Sequence, residues 1–119
     1  REVVNLSYFA IPIIDLYYKL GENKKADNLL SLMLDDYLKE YNYLTNFSSG
    51  SGLKQNLNIC GQVLGSLSRV IQIHQLENTD FEYFSNNEKY YKSKNGEEEE
   101  ISYENYRINT FMDEFYSLQ

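Results

Sequence analysis

The sequence has no tryptophan, and it has only one proline, one cysteine and one histidine among 119 residues. Cys60 therefore has no partner for a disulfide within the chain, and His74 alone cannot supply the usual ligand set of a zinc site. The single proline and only six glycines disfavour an all-β domain, which would need many tight turns. These absences favour a helical domain without a metal centre.

Positive charge is also scarce, since 11 Lys and Arg face 18 Asp and Glu for a formal net charge of −7. Nucleic-acid binding requires clustered Lys and Arg, so this balance argues against DNA or RNA as a partner. The longest apolar run, Phe9–Ile14, is six residues, too short for direct insertion into a membrane. No signal peptide is visible at the start. Because the first residue is Arg1 rather than Met, the chain is interpreted as a fragment of a longer protein.

Aromatic residues are abundant, with twelve tyrosines and six phenylalanines. Tyrosine suits packed helices, because its ring can be buried while its hydroxyl reaches the rim. The apolar spacing predicts about five helices and no strands. The sequence is therefore predicted to form a single all-α domain over residues 1–119, built on a helical hairpin that further antiparallel helices extend.

The first helix is apolar on nearly every side, which is typical of a helix enclosed by others. An interior proline disrupts helical hydrogen bonding, so the regular helix is expected to start between Tyr8 and Ile11, with Pro12 in its first turn. Gly21 is predicted to end this helix as the C′ residue, where glycine adopts a positive φ at little cost.

The second helix is predicted to run from within residues 22–24 to about Tyr43, and Thr45–Gly52 reads as a serine- and glycine-rich loop. Apolar residues recur along it at spacings of three and four, which defines one helical face. That face contains Ala26, Leu30, Met33, Tyr37, Tyr41 and Leu44.

The third helix, about Leu53–Leu76, carries the cleanest apolar pattern and is predicted to cap the hairpin. Gly61 and Gly65, with Ser68, form a row of small residues along it. Glycine within a helix costs roughly 1 kcal/mol relative to alanine, so this row indicates a close approach of another helix. The alternative is a tolerated imperfection.

Residues 80–118 are predicted to form aromatic C-terminal helices. A short helix from Asp80 would carry aromatic residues as far as Tyr91, capped by Asn78 or Thr79. Ser93–Glu100 is then interpreted as an exposed polar turn. A last helix, about Ile101–Ser117, would follow; its apolar side holds Tyr103, Tyr106, Ile108, Phe111, Phe115 and Leu118.

No set of residues predicts catalysis, and no catalytic, cofactor-binding or metal-binding residue is assigned. His74 ends the apolar stripe of the third helix and is interpreted as a partly buried or C-terminal capping histidine rather than as a base. Cys60 lies on the same stripe and is interpreted as a core residue rather than as a nucleophile. Four consecutive glutamates, Glu97–Glu100, lack the alternating ligands of a calcium loop. The tyrosine pairs Tyr17-Tyr18 and Tyr90-Tyr91 are interpreted as core residues, with stacking on a sugar ring as the alternative.

The segment IIDLYYKLGENKKADNLLSLML resembles a tetratricopeptide repeat, a helix–turn–helix of 34 residues. On that pattern, Tyr17 takes the aromatic position of the first helix. Gly21 takes the turn glycine, and Ala26 takes the small residue where the helices cross. Met33 and Leu38 stand where the repeat prefers alanine and proline, so the second helix is expected to overrun the repeat. The resemblance implies one tetratricopeptide-like hairpin over residues 8–44.

A longer resemblance includes YFAIPIIDLYYKLGENKKADNLL, the Leu/Ile-rich third helix and the terminal FYSLQ. Together these resemble the soluble C-terminal tail of bacterial multi-pass proteins of the protein O-mannosyltransferase-like, glycosyltransferase-C type. The match covers residues 8–118 and is poor over residues 78–100. It implies a tail tethered to the bacterial inner membrane, with the periplasmic side favoured, and catalysis in a membrane-embedded half outside this chain.

Two functions follow as expectations. The first is a non-catalytic interaction or scaffold domain, whose partner is a protein, a peptide or the membrane-embedded half of a parent chain. Its partner-binding face is predicted on the first helix at Tyr8, Ile11, Asp15 and Tyr18. The second is an accessory domain that assists acceptor binding by a membrane glycosyltransferase. Neither function calls for a cofactor.

Overall fold

The computed structural model describes residues 3–47 and 50–117, which form four helices and one three-stranded antiparallel sheet. The prediction of an all-α domain with five helices is therefore wrong, because the fold combines helices with a small sheet. In chain order the elements are α1 (Val3–Lys19), α2 (Asn23–Phe47), α3 (Gly50–Ile73), β1 (Glu82–Asn86), β2 (Lys89–Lys94), β3 (Glu97–Ile101) and α4 (Tyr103–Ser117).

The α1–α2 hairpin turns at Gly21, as the sequence predicts. Gly21 has a φ of 78° and donates its N–H to the Tyr18 carbonyl at 3.1 Å, while the Glu22 N–H donates to the Tyr17 carbonyl at 2.9 Å. These two bonds form a Schellman cap, which ends α1 and satisfies its last carbonyls. A residue with a Cβ would be strained at this φ.

Pro12 lies inside α1 and not in its first turn, so the predicted helix start between Tyr8 and Ile11 is wrong. A proline at this position cannot donate to the carbonyl four residues earlier. Pro12 is on the exposed side of α1, where the cost is smallest because water can reach that carbonyl.

The long helices α2 and α3 extend further toward each other than predicted. α2 continues to Phe47 rather than ending near Tyr43, and α3 begins at Gly50. Most of the predicted loop over residues 45–52 is therefore helical, and residues 48–49 lie outside the described chain. The row at Gly61 and Gly65 does not mark a close helix approach, because no described atom of another helix lies within 4 Å of a Cβ built on either glycine.

One hydrophobic core joins the four helices. The side chains of Ala26, predicted at the hairpin crossing, and of Leu30, predicted on the apolar face of the second helix, are fully buried. Helix α4 closes the core by inserting Phe111, whose ring meets that of Tyr37 edge-on at 6.0 Å. The other buried members include Ile14, Leu34, Leu38, Leu44, Cys60, Val63, Leu67, Val70, Ile71 and Ile108.

The sheet replaces both the short helix predicted from Asp80 and the turn predicted at Ser93–Glu100. Its strands run in the order β1-β2-β3 through two tight hairpins. The loop between β2 and β3 is Asn95-Gly96, with φ of 54° and 84°, and the loop between β1 and β2 is Asn87-Glu88, with φ of 53° and 63°. Two positive φ values are typical of a type I′ turn, for which Asn-Gly is the preferred sequence.

The four consecutive glutamates, Glu97–Glu100, form most of the edge strand β3. Their side chains are exposed, as predicted, although they lie on a strand rather than on a turn. On one face, Glu99 pairs with Lys92 of β2, with an Nζ–Oε2 distance of 3.2 Å. A charged edge of this kind discourages unwanted pairing with the strand of another chain.

Helix α4 connects the sheet to the helical core. Ser102 caps its N-terminus by accepting a hydrogen bond from the Asn105 N–H at 3.1 Å. On the sheet side, the ring of Tyr90 lies 5.1 Å from that of Tyr103 and 4.8 Å from that of Tyr106. The sheet therefore packs on α4 through aromatic contacts, away from α1.

Candidate functional site

A line of four large apolar side chains is exposed along the outer side of α1 and its C-terminal turn. Phe9 is 75% exposed, Ile13 46%, Leu16 53% and Leu20 67%. Their spacings of four, three and four residues place them on one helical face. We call these four residues the α1 stripe.

The opposite side of α1 is fixed to the rest of the fold. Ile14 is fully buried, and Ala10, Ile11 and Tyr18 pack against the core. The helix that the sequence predicts to be enclosed on all sides is thus enclosed on one side within the described chain. The stripe is the side of α1 that residues 3–47 and 50–117 leave exposed.

Polar contacts at the end of the hairpin hold α1 in this orientation. Asp15 Oδ1 lies 2.7 Å from Nε2 of His74, the residue that follows α3. The hydroxyl of Tyr18 donates to Asp27 of α2 at 2.5 Å, and the rings of Tyr18 and His74 are 4.9 Å apart. We call Asp15, Tyr18, Asp27 and His74 the polar cluster; it joins α1 to both neighbouring helices.

The pKa values of the two carboxylates of the polar cluster are shifted in opposite directions. Hydrogen bonds from Lys19, 2.9 Å from Asp15, and then from His74 lower the pKa of Asp15. Burial raises the pKa of Asp27, although the bond from Tyr18 opposes that rise, and the charge of Glu104 adds to it. Burial also raises the pKa of the Tyr18 phenol, so it remains a hydrogen-bond donor.

We expect Asp15→Asn to reduce the free energy of unfolding by about 1 kcal/mol at pH 7, at the low end for bonds to a charged group because Asp15 is partly solvated. Since folding lowers the pKa of Asp15, its contribution is complete above the unfolded pKa of about 3.9. It is lost as the pH falls through the folded pKa. Urea unfolding from pH 7 to pH 3 should show the two proteins converging.

The matched control is Asp113→Asn, which removes an exposed carboxylate from α4 and should leave stability within about 0.5 kcal/mol of the wild type at every pH. A difference between Asp15→Asn and the wild type that stays constant down to pH 3 would show that the carboxylate charge is not what stabilises α1.

The predicted partner-binding face shares Asp15 and Tyr18 with the polar cluster and contains no residue of the α1 stripe. Ile11 is half-buried against the core, Asp15 bonds to Lys19 and His74, and Tyr18 bonds to Asp27. The side chain of Tyr8 lies outside the described part of the structure. The partner-binding role of these four residues stays a prediction. Helical spacing alone places the four residues of the stripe on one side of α1. It does not show that this side is exposed.

A hollow of about 380 Å³ opens next to the polar cluster, lined in part by Tyr18, Asp27 and His74. It contains a carboxylate, a phenol and an imidazole, which can form hydrogen bonds to a polar group. Cys60 is not part of it. That thiol is 1% exposed, and burial, with the charge of Glu40 adding, raises its pKa to about 11. It stays protonated at neutral pH and packs in the core, as the sequence predicts.

The Tyr90-Tyr91 pair does not form a single stacking platform. Tyr90 and Tyr91 point to opposite faces of β2: Tyr90 packs against α4, while the ring of Tyr91 stacks on Phe84 at 5.2 Å. In the other pair, Tyr18 is engaged by Asp27 and His74. A single sugar ring therefore cannot lie across both rings of the Tyr90-Tyr91 pair.

No family model, no curated protein and no solved structure matches this chain. Within residues 3–47 and 50–117, no helix has both the length and the apolar character needed to cross a membrane. Over the same residues, no three His, Cys, Asp or Glu side chains converge as metal ligands. The candidate site is therefore defined by the structure alone. It is an exposed apolar surface on a helix whose opposite side packs against the core.

Proposed function

We propose that this chain is a non-catalytic interaction module that binds an amphipathic helix along the α1 stripe. The observation that carries the proposal is the exposure of Phe9, Ile13, Leu16 and Leu20 on one side of a helix whose other side is buried. At roughly 200 Å² for a large exposed side chain, the stripe presents on the order of 500 Å² of apolar surface. Patches of this size on a monomer are often functional.

The proposed surface is preformed. Ile14 and the polar cluster fix α1 against α2 and α3, so binding need not order the helix. A rigid surface loses less conformational entropy on association, and that saving appears as affinity. Recognition of one helix by another typically uses anchors at i, i+3, i+4 and i+7, a spacing that Phe9, Ile13 and Leu16 match in part.

The charges on this side of the molecule favour an apolar partner over a basic one. Three carboxylates that could otherwise attract a basic peptide are engaged within the fold: Asp15 with Lys19, Asp27 with Tyr18 and Asp35 with Arg107. Asp15 and Lys19 are the only charged residues of α1, and they lie 2.9 Å apart. A partner helix therefore meets a surface without net charge.

The sequence resemblance supports one kind of parent protein for this module. The segment from Tyr8 to Leu30 resembles the tail of membrane-bound glycosyltransferase-C type proteins, so another part of such a parent is a natural partner to test. The proposal of a helix-binding module stands on the α1 stripe and does not depend on that parent.

The test is a fluorescence-anisotropy titration with a synthetic helical peptide that carries leucines at i, i+4, i+7 and i+11, with glutamine and lysine elsewhere. A peptide of the same composition in scrambled order is the reference. We expect the patterned peptide to bind and the scrambled one not to. Leu16→Asp should weaken the patterned peptide at least tenfold, or about 1.4 kcal/mol, because it places a charge in the centre of the stripe.

The matched control is Leu32→Asp, which changes an exposed leucine of α2 outside the stripe and should leave the affinity unchanged. Equal binding of the two peptides, or equal weakening by both variants, would show that the α1 stripe is not a helix-binding surface. Absence of binding by the wild type would overturn the proposal as well.

A further inference from the structure

We propose that the helix that binds the α1 stripe is α1 of a second copy of this chain, packed antiparallel in a symmetric dimer. The inference rests on the proposed function and names the partner. The chain itself contains the ligand that the stripe requires: a helix with an apolar face and no net charge. Three features of α1 support a self-complementary contact.

The first feature is the symmetry of the stripe. From Phe9 to Leu20 it runs about 17 Å along the helix, at 1.5 Å per residue. Ile13 and Leu16 lie on either side of its midpoint, and Phe9 and Leu20 lie at its ends. Reversing a second copy places Ile13 opposite the second Leu16, and Phe9 opposite the second Leu20. A two-fold dimer requires this match. If residue i of one copy contacts residue j of the other, then residue j of the first copy must contact residue i of the second.

The second feature is the area. Each stripe exposes on the order of 500 Å² of apolar surface, so two stripes together would remove about 1,000 Å² from water. That is the lower limit for a specific protein–protein interface. The expected dimer is therefore reversible, with a Kd of roughly 1–100 μM.

The third feature is the distribution of charge. Each copy carries a net charge of −7, which would oppose dimerisation through most surfaces. On α1, however, Asp15 and Lys19 pair within the helix. The densest acidic segment, Glu97–Glu100, lies on β3, and the sheet packs on α4 rather than on α1. The α1 stripe is thus a surface where two like-charged molecules can meet with little repulsion.

The test begins with sedimentation velocity at protein concentrations from about 1 μM to about 1 mM, which extends about tenfold above the upper end of the expected Kd range. We expect a concentration-dependent shift from the monomer mass of 14.1 kDa to twice that mass. Leu16→Lys alone and Ile13→Asp alone should each weaken the dimer at least tenfold, because each leaves a charge against an apolar side chain. Leu32→Lys, on the exposed side of α2, should not.

Mixing the two charged variants distinguishes the arrangement. In the antiparallel dimer, Leu16→Lys of one copy lies opposite Ile13→Asp of the other, so the mixture should recover at least tenfold in affinity over either variant alone. In a parallel dimer, like positions would face each other and the mixture would not recover. Circular dichroism checks that each variant is folded; if one is not, Leu16→Ala and Ile13→Ala replace the pair and should each weaken the dimer.

The outcomes separate this inference from the proposed function. A chain that stays at 14.1 kDa at all concentrations but binds the patterned peptide overturns the dimer and leaves the interaction module standing. A chain that does neither overturns both. A dimer whose affinity is unchanged by Leu16→Lys and Ile13→Asp uses a surface other than the stripe. A mixture of the two variants that does not recover affinity overturns the antiparallel packing.

Discussion

Leu34→Ala is expected to lower the free energy of unfolding by about 2–5 kcal/mol. Leu34 has no exposed surface and lies on α2 within the core that joins the four helices. The substitution removes apolar contacts and leaves a cavity that its neighbours fill only partly. The measurement is urea unfolding followed by circular dichroism, extrapolated linearly to water at one fixed protein concentration.

Leu32→Ala is the matched control, because it makes the same chemical change two residues earlier on the same helix. Leu32 is 55% exposed, so its truncation should change stability by no more than about 0.5 kcal/mol. If both variants lose the same free energy of unfolding, Leu34 and Leu32 do not differ in burial as they do in the structure. If neither does, the core described here does not contain Leu34.

The helical part of the fold is readable from the sequence because its signals are local. Gly21 ends α1 through a positive φ that glycine adopts most readily, and the buried Ala26 and Leu30 follow at helical spacing. The errors at helix ends have physical reasons as well. Pro12 is tolerated inside α1 because it lies on the exposed side, and exposure depends on tertiary contacts that the sequence does not display.

The sheet is the part of the fold for which the prediction from sequence is wrong. The aromatic residues between Phe81 and Tyr91 predict a short helix from Asp80, and the polar segment Ser93–Glu100 predicts a turn, although the Asn95-Gly96 pair within that segment is a strong hairpin signal. Four glutamates have low strand propensity, so the edge strand β3 forms against local preference. Pairing with β2, including Lys92 with Glu99, supplies the stabilisation that local propensity does not.

The candidate site could be predicted only in part: the predicted face and the α1 stripe both lie on α1, but they consist of different residues. The residues predicted as a binding face, Asp15 and Tyr18 among them, turn out to contact His74 and Asp27. His74 is 59 positions away from Asp15 in sequence, and no local pattern indicates such a pair. An apolar helix also gives no sign of which of its sides other elements cover.

Arg107 is a buried charge on the contact between α2 and α4. It is 6% exposed and donates hydrogen bonds from Nε to Asp35 of α2 and from a terminal nitrogen to Glu114 of its own helix. Asp35 also accepts a bond from the Tyr103 hydroxyl at 2.6 Å. The guanidinium can serve two carboxylates at once because its donors form a planar fork.

We expect Arg107→Ala to lower the free energy of unfolding by about 3 kcal/mol, the low end for a broken buried pair. The loss stays at that end because Asp35 and Glu114 keep side-chain exposures of 27% and 50%, so water can solvate them in part. Arg107→Lys should lose less, since it keeps the charge but not the fork. The control is Arg69→Ala on α3, an exposed arginine whose removal should cost no more than about 0.5 kcal/mol. Equal losses at the two arginines would mean that Arg107 acts only as a surface charge, and that apolar packing alone holds α4 to α2.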